Sequence, residues 1–130
     1  MIVADSSVWI DYLRQRPSSA AAFLDWLVGR ATVLVGDLIL HELLAGVRSE
    51  VEADRPRHSF EPLPFVFMGG QQVAVEAGRI CRALRARGVT IRRSVDPFIG
   101  TCCMLHQHTL LQSDRDFLPM QEFGRHLWPA

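Results

Sequence analysis

Apolar and polar positions along the chain switch between two periods, one suited to strands and one to helices. Residues 1–4 form a short apolar run that stops at Asp5-Ser6-Ser7, the pattern of a buried strand ending in a polar turn. A short helix is expected over 8–13, and Pro17-Ser18-Ser19 signals the start of another over 20–28, with Gly29 as its stop. Residues 32–35 are β-branched and apolar, a second buried strand. The segment 38–47 reads as a helix apolar on nearly every side, interrupted by His41 and Glu42, whereas 49–58 reads as a charged helix facing water, its end limited by Pro56. Pro62 and Pro64 bracket a linker to a short edge strand at 65–68. The longest helix covers 71–87 and closes at Gly88. Asp96-Pro97 opens a further helix to about residue 107, with Asp96 as N-cap and Pro97 in the first helical position. A buried strand at 109–113 runs into Asp114-Arg115-Asp116-Phe117, and a last strand is expected at 125–128. Strands alternating with helices define an α/β domain with a mainly parallel sheet.

At 130 residues the chain suits one domain, 1–130, and its 48% hydrophobic and 22% charged content is that of a sequence that folds. Basic and acidic residues balance at 14 each, so affinity for nucleic acid has to come from local patches. Every one of those basic residues is arginine. The absence of lysine excludes the P-loop, Schiff-base enzymes, the kinase lysine and phosphoryl-transfer designs that set a lysine beside an aspartate. Cys81, Cys102 and Cys103 are odd in number and lack C-x-x-C spacing, which indicates neither a disulfide framework nor a zinc site. With no basic leader ahead of Asp5 and Asp11, and no apolar run near 18 residues, a cytoplasmic protein without a membrane span is expected.

Four carboxylates stand where chemistry is expected. Parallel sheets bind ligands at the carboxyl ends of their strands, and Asp5 and Asp114 each directly follow an expected strand. Either alone also fits a turn or cap. Glu42 has Leu38, Ile39, Ala45 and Gly46 as its helical neighbours, an apolar face on which a carboxylate needs a counter-charge or a metal; an ion pair with one of the arginines is the other reading. Asp96 is explained by capping, and equally by a helix N-terminus that favours anions. Were these acids to converge, two carboxylates about 4 Å apart would repel by about 4 kcal/mol at an effective dielectric near 20. A divalent cation removes that repulsion, and all-oxygen ligands select Mg²⁺ or Mn²⁺.

The segments I-V-A-D-S-S-V-W-I-D, H-E-L-L-A-G, S-V-D-P-F-I-G and L-L-Q-S-D-R-D-F occur in the order and spacing of the PIN-domain ribonucleases. Over nearly its whole length the chain resembles the VapC toxins of bacterial VapBC toxin–antitoxin pairs. That resemblance implies a PIN-like fold, with a central parallel sheet flanked by helices, and Mg²⁺ or Mn²⁺ held by Asp5, Glu42, Asp96 and Asp114. It gives Asp116 as a further acidic position and Ser7 as a supporting hydroxyl. It also implies a homodimer, a small VapB-like antitoxin whose C-terminal segment fills the acidic cleft, and tRNA or ribosomal RNA as substrate. Pro97 and the Cys102-Cys103 pair depart mildly from the family pattern.

Arg79, Arg82 and Arg85 lie off the apolar arc of the longest helix and are candidates for RNA phosphate contacts, set against a plain solvated face. Trp9, Trp26 and Trp128 read as core or interface anchors, and His106 and His108 are given no site role. The leading function is a metal-dependent endoribonuclease. A non-catalytic binding module and a metal-dependent phosphatase acting on a small phosphoester are the alternatives.

Overall fold

The computed structural model describes residues 1–113, 118–120 and 127–128. Five strands form a single sheet: β1 (Ile2–Ala4), β2 (Val33–Gly36), β3 (Phe65–Val66), β4 (Thr109–Leu111) and β5 (Leu127–Trp128). Their spatial order is β3-β2-β1-β4-β5, and all neighbours pair in parallel. Ile2 stands opposite both Val33 and Thr109, and Ala4 opposite Leu111, so β1 is the central strand. Val3, Ala4, Val35, Leu110 and Leu111 are wholly buried, which is why these strands read as unbroken apolar runs rather than alternating ones.

Parallel strands require crossovers, and six helices supply them among the described residues: α1 (Ser6–Leu13), α2 (Ser19–Leu27), α3 (Asp37–Ala45), α4 (Glu50–Phe60), α5 (Gln71–Ala86) and α6 (Asp96–Leu105). Val8, Trp9, Leu24, Ile39, Ile80, Leu84 and Ile99 carry helical faces into the same core. Ser18 and Ser49 cap α2 and α4 through their hydroxyls, as Ser/Thr N-caps do. Gly88, at φ +81°, supplies the left-handed turn that ends α5. None of the helices is long and apolar enough to cross a membrane, among the described residues.

The start of α1, the passage through Pro56 and the start of α6 depart from expectation. Helix α1 begins at Ser6, two residues before the apolar pattern starts, because Asp5 is its N-cap and draws both serines into the first turn. Pro56 does not limit α4, which continues to Phe60. Phe60 packs edge-on against Trp9 with centroids 4.6 Å apart, and burial of Pro56 and Phe60 together offsets the backbone hydrogen bond that proline forfeits. At α6, Val95 is the N-cap and Asp96-Pro97 follow as the first two helical residues, where an N–H has no intrahelical partner and proline costs nothing. Of the tryptophans, Trp9 is buried as expected. Trp26 is 55% exposed, stacked on Phe23 and lying beneath the Arg30 guanidinium, and so is no part of the core.

Candidate acidic site at the carboxyl edge of the sheet

The site starts at the β1–α1 junction. The Asp5 N–H donates to the Leu111 carbonyl at 2.9 Å, which pins the end of β1 to the end of β4. Its carboxylate is 0% exposed. Oδ2 accepts from the Ser7 N–H at 3.3 Å and the Ser7 hydroxyl at 2.9 Å, while the buried Oδ1 has no hydrogen-bond partner among the described residues. Ser113, at the exit of β4, donates its hydroxyl to Ser7 Oγ at 3.2 Å, so a chain of polar contacts crosses from β4 to Asp5. Burial pushes the Asp5 carboxyl above its ordinary pKa, against the opposing pull of the Ser7 and Ser6 hydrogen bonds and the Arg93 charge.

Glu42 lies on α3, which starts directly after β2. The Met68 side chain packs against this junction where Gly36 has no side chain: a Cβ at that position would stand 2.1 Å from Met68 Sδ. Asp37 Oδ1 accepts the Leu38 and Met68 N–H groups, both at 2.9 Å, and ties the segment after β3 to the start of α3. One oxygen of Glu42 accepts from Ser6 Oγ at 3.4 Å, and the other pairs with the Arg93 guanidinium. Only 13% of the Glu42 side chain is exposed, so the need for a counter-charge read from the sequence is real, and an arginine meets it.

Asp96 reaches the same edge through topology. Helix α6 leads into β4 after a three-residue connection and runs back across the sheet, so its N-terminus lies at the carboxyl end of the strands. Asp96 is wholly buried in the first turn of that helix. Further along α6, burial drives the Cys103 thiol up in pKa, with the Cys102 and Asp5 charges as further causes. His106 and His108 stand at the opposite edge: burial lowers the His108 pKa, with the chain's amino terminus and His106 as further causes.

Asp5, Glu42 and Asp96 are thus carried to one edge of the sheet by β1–α1, β2–α3 and α6, with direct or one-residue links between Asp5, Ser6, Ser7, Glu42 and Arg93. Asp114 and Asp116 lie outside the described residues. Among the described residues no three acidic, histidine or cysteine side chains are arranged as a ready metal cage. The donor chemistry nevertheless suits a hard cation: the oxygens are carboxylate oxygens, and the orphaned, buried Oδ1 of Asp5 is one whose charge a cation would stabilise. Sequence reasoning missed Ser6, Ser113 and the role of Arg93. Arg93 stood only at the end of an arginine-rich stretch, and nothing in that pattern marked a partner 51 residues away.

A groove lies against Glu42, and α5 carries an exposed arginine face. The groove, of about 530 Å³, is walled by Ile10, Leu13 and Val47 and by Arg14, Arg48 and Arg55. On α5, Arg79 donates from Nε to Glu76 at 2.9 Å, and Arg82 and Arg85 are exposed.

A five-stranded parallel sheet with helices on its crossovers and Asp5, Glu42 and Asp96 at its carboxyl edge defines an α/β domain with its candidate ligand site where the strands end. The chain belongs to the PIN domain family, whose model matches residues 2–122. Its fold is shared by VapBC2 from Rickettsia felis bound to a promoter DNA fragment, at TM-score 0.73 and 17% identity over 91% of this chain and 92% of that one. FitAcB from Neisseria gonorrhoeae gives TM-score 0.69 and 22% identity, covering 92% and 90%. DNA-bound VapBC from Salmonella typhimurium gives 0.68 and 18%, covering 90% and 89%.

Proposed function

We propose that this chain is the toxin of a type II toxin–antitoxin pair and a Mg²⁺- or Mn²⁺-dependent endoribonuclease acting on structured RNA such as tRNA or ribosomal RNA. The observation that carries this reading is Asp5: a wholly buried carboxylate with one orphaned oxygen and a raised pKa, at the carboxyl edge of a PIN domain. Asp5, Glu42, Asp96 and Asp114 would hold the cation, with Asp116 as a further acid nearby. When bound, a divalent ion supplies a hydroxide-like nucleophile at neutral pH and stabilises the leaving oxygen of a phosphodiester. Ser7 holds Asp5 in one orientation with its N–H and hydroxyl, and Ser113 fixes the Ser7 hydroxyl from β4. Arg82 and Arg85 supply phosphate contacts, joined by Arg79 where it turns from Glu76.

The VapBC and FitAB likenesses support a small VapB-like antitoxin as partner. The groove beside Glu42, with aliphatic walls edged by Arg14, Arg48 and Arg55 and by Glu42 and Glu52, suits an amphipathic segment carrying charges of both signs that continues into the acidic cleft. Exposed Phe65, Phe67 and Val75 leave apolar surface suited to a second copy, in keeping with a homodimer. This reading places the chain in the cytoplasm, where tRNA and ribosomal RNA are found. Incubating the purified, antitoxin-free chain with total RNA and Mn²⁺ and mapping new 5′ ends tests the activity and identifies the RNA. Discrete new ends that vanish in EDTA are expected, and an unchanged RNA population would overturn the reading.

A further inference from the structure

Glu42 answers to two demands: as a proposed cation ligand it must face a divalent ion, yet its carboxylate already pairs with Arg93. Arg93 sits in the connection between α5 and α6, three residues before Asp96, so one short segment brings a fixed cation and an acid to the same edge. The other Glu42 oxygen is held by Ser6, and the Arg93 charge also reaches the buried Asp5. A guanidinium stays charged at any pH the protein survives, so it cannot yield its place by losing a proton. A divalent ion on Glu42 and a guanidinium on the same carboxylate repel each other, so cation binding favours a conformer in which one of them has moved away. Exposure says which: the Arg93 side chain is 43% exposed and Glu42 only 13%, so the arginine has water to swing into while the carboxylate stays.

We propose that Arg93 is a resident counter-ion of the acidic site, neutralising Glu42 in the cation-free protein and displaced from it when a divalent cation binds. The proposal rests on the metal-site reading above and deepens it. Arg93 steadies the fold without metal and weakens the site's cation affinity, setting the cation concentration at which the site fills. A merely structural tie between the α5–α6 connection and α3 would leave cation affinity untouched.

Calorimetric titration of the full-length chain with Mn²⁺, for wild type, Arg93→Gln and Arg92→Gln, tests this, with thermal melts of each in EDTA and in Mn²⁺. Arg93→Gln is expected to bind Mn²⁺ several-fold more tightly, to melt lower in EDTA and to gain more from Mn²⁺ than wild type. Arg92→Gln removes the same charge one residue away and is expected to leave the affinity close to wild type. Equal or weaker binding by Arg93→Gln, or equal tightening by Arg92→Gln, overturns the displacement while leaving the metal site standing. Binding of Mn²⁺ by none of the three overturns the metal site and this proposal together. Should Arg93→Gln fail to fold, Arg93→Lys keeps the charge but loses the planar fork, and a smaller change of the same sign is expected.

Discussion

Asp5 caps α1 while wholly buried, and the two roles pull its charge in opposite directions. The Ser7 N–H and hydroxyl favour the carboxylate, burial favours the acid, and burial wins, leaving the folded-state pKa above the unfolded one. Stability linked to that proton is therefore fully present below the ordinary carboxylate value of about 3.9 and is lost as pH rises through the higher folded value. Asn accepts the capping hydrogen bond as well as Asp does, so Asp5→Asn keeps the cap and removes the buried charge. In EDTA the variant is expected to melt above wild type at neutral pH, the gap closing as pH falls. Chemical denaturation at several pH values measures this, and a gap that stays constant with pH would show that the Asp5 charge is not what burial strains.

Between elements, the narrowest fit is the turn from β2 into α3, where Gly36 lies against the fully buried Met68. Gly36→Ala should cost about 1–3 kcal/mol by overpacking, read as a lower midpoint in denaturant at unchanged slope, because the wholly buried Met68 side chain has to repack around the added methyl. Strand positions and the α/β class were legible in the sequence because central parallel strands are buried on both faces and leave continuous apolar runs such as residues 1–4 and 32–35. Helix ends were legible only where a local signal was unambiguous, as with Ser18 and Gly88. The Asp-Pro pair at 96–97 suits either N-cap and first position or first and second, and only the backbone of Val95 distinguishes them. Pro56 was misread because its compensation, Phe60 on Trp9, is a tertiary contact that local propensity does not contain. Likewise the apolar face around Glu42 announced a need for a counter-charge but could not say which arginine meets it.

At the scale of the whole molecule, 14 basic and 14 acidic residues cancel, so RNA affinity has to come from a surface that concentrates positive charge. Arg82 and Arg85 on α5 are the surface proposed for this role, with Arg79 partly committed to Glu76. Replacing Arg82 or Arg85 by Ala should flatten the slope of log K against log salt by about 0.7 for a single-stranded RNA, the contribution of one phosphate contact. Arg79→Ala should change it less, and unchanged slopes for all three would return this helix to a solvated face. The central claim is that acids at the carboxyl edge of this PIN domain cut RNA with a divalent ion. Its most direct test is the rate of RNA cleavage in Mn²⁺ by wild type, Asp5→Asn and Asp96→Asn, with each preparation's melting curve taken alongside. The account predicts cleavage by wild type that EDTA abolishes, and variants that stay folded while the rate falls by orders of magnitude. Folded variants that cleave at the wild-type rate, or wild-type cleavage that persists in EDTA, would contradict it.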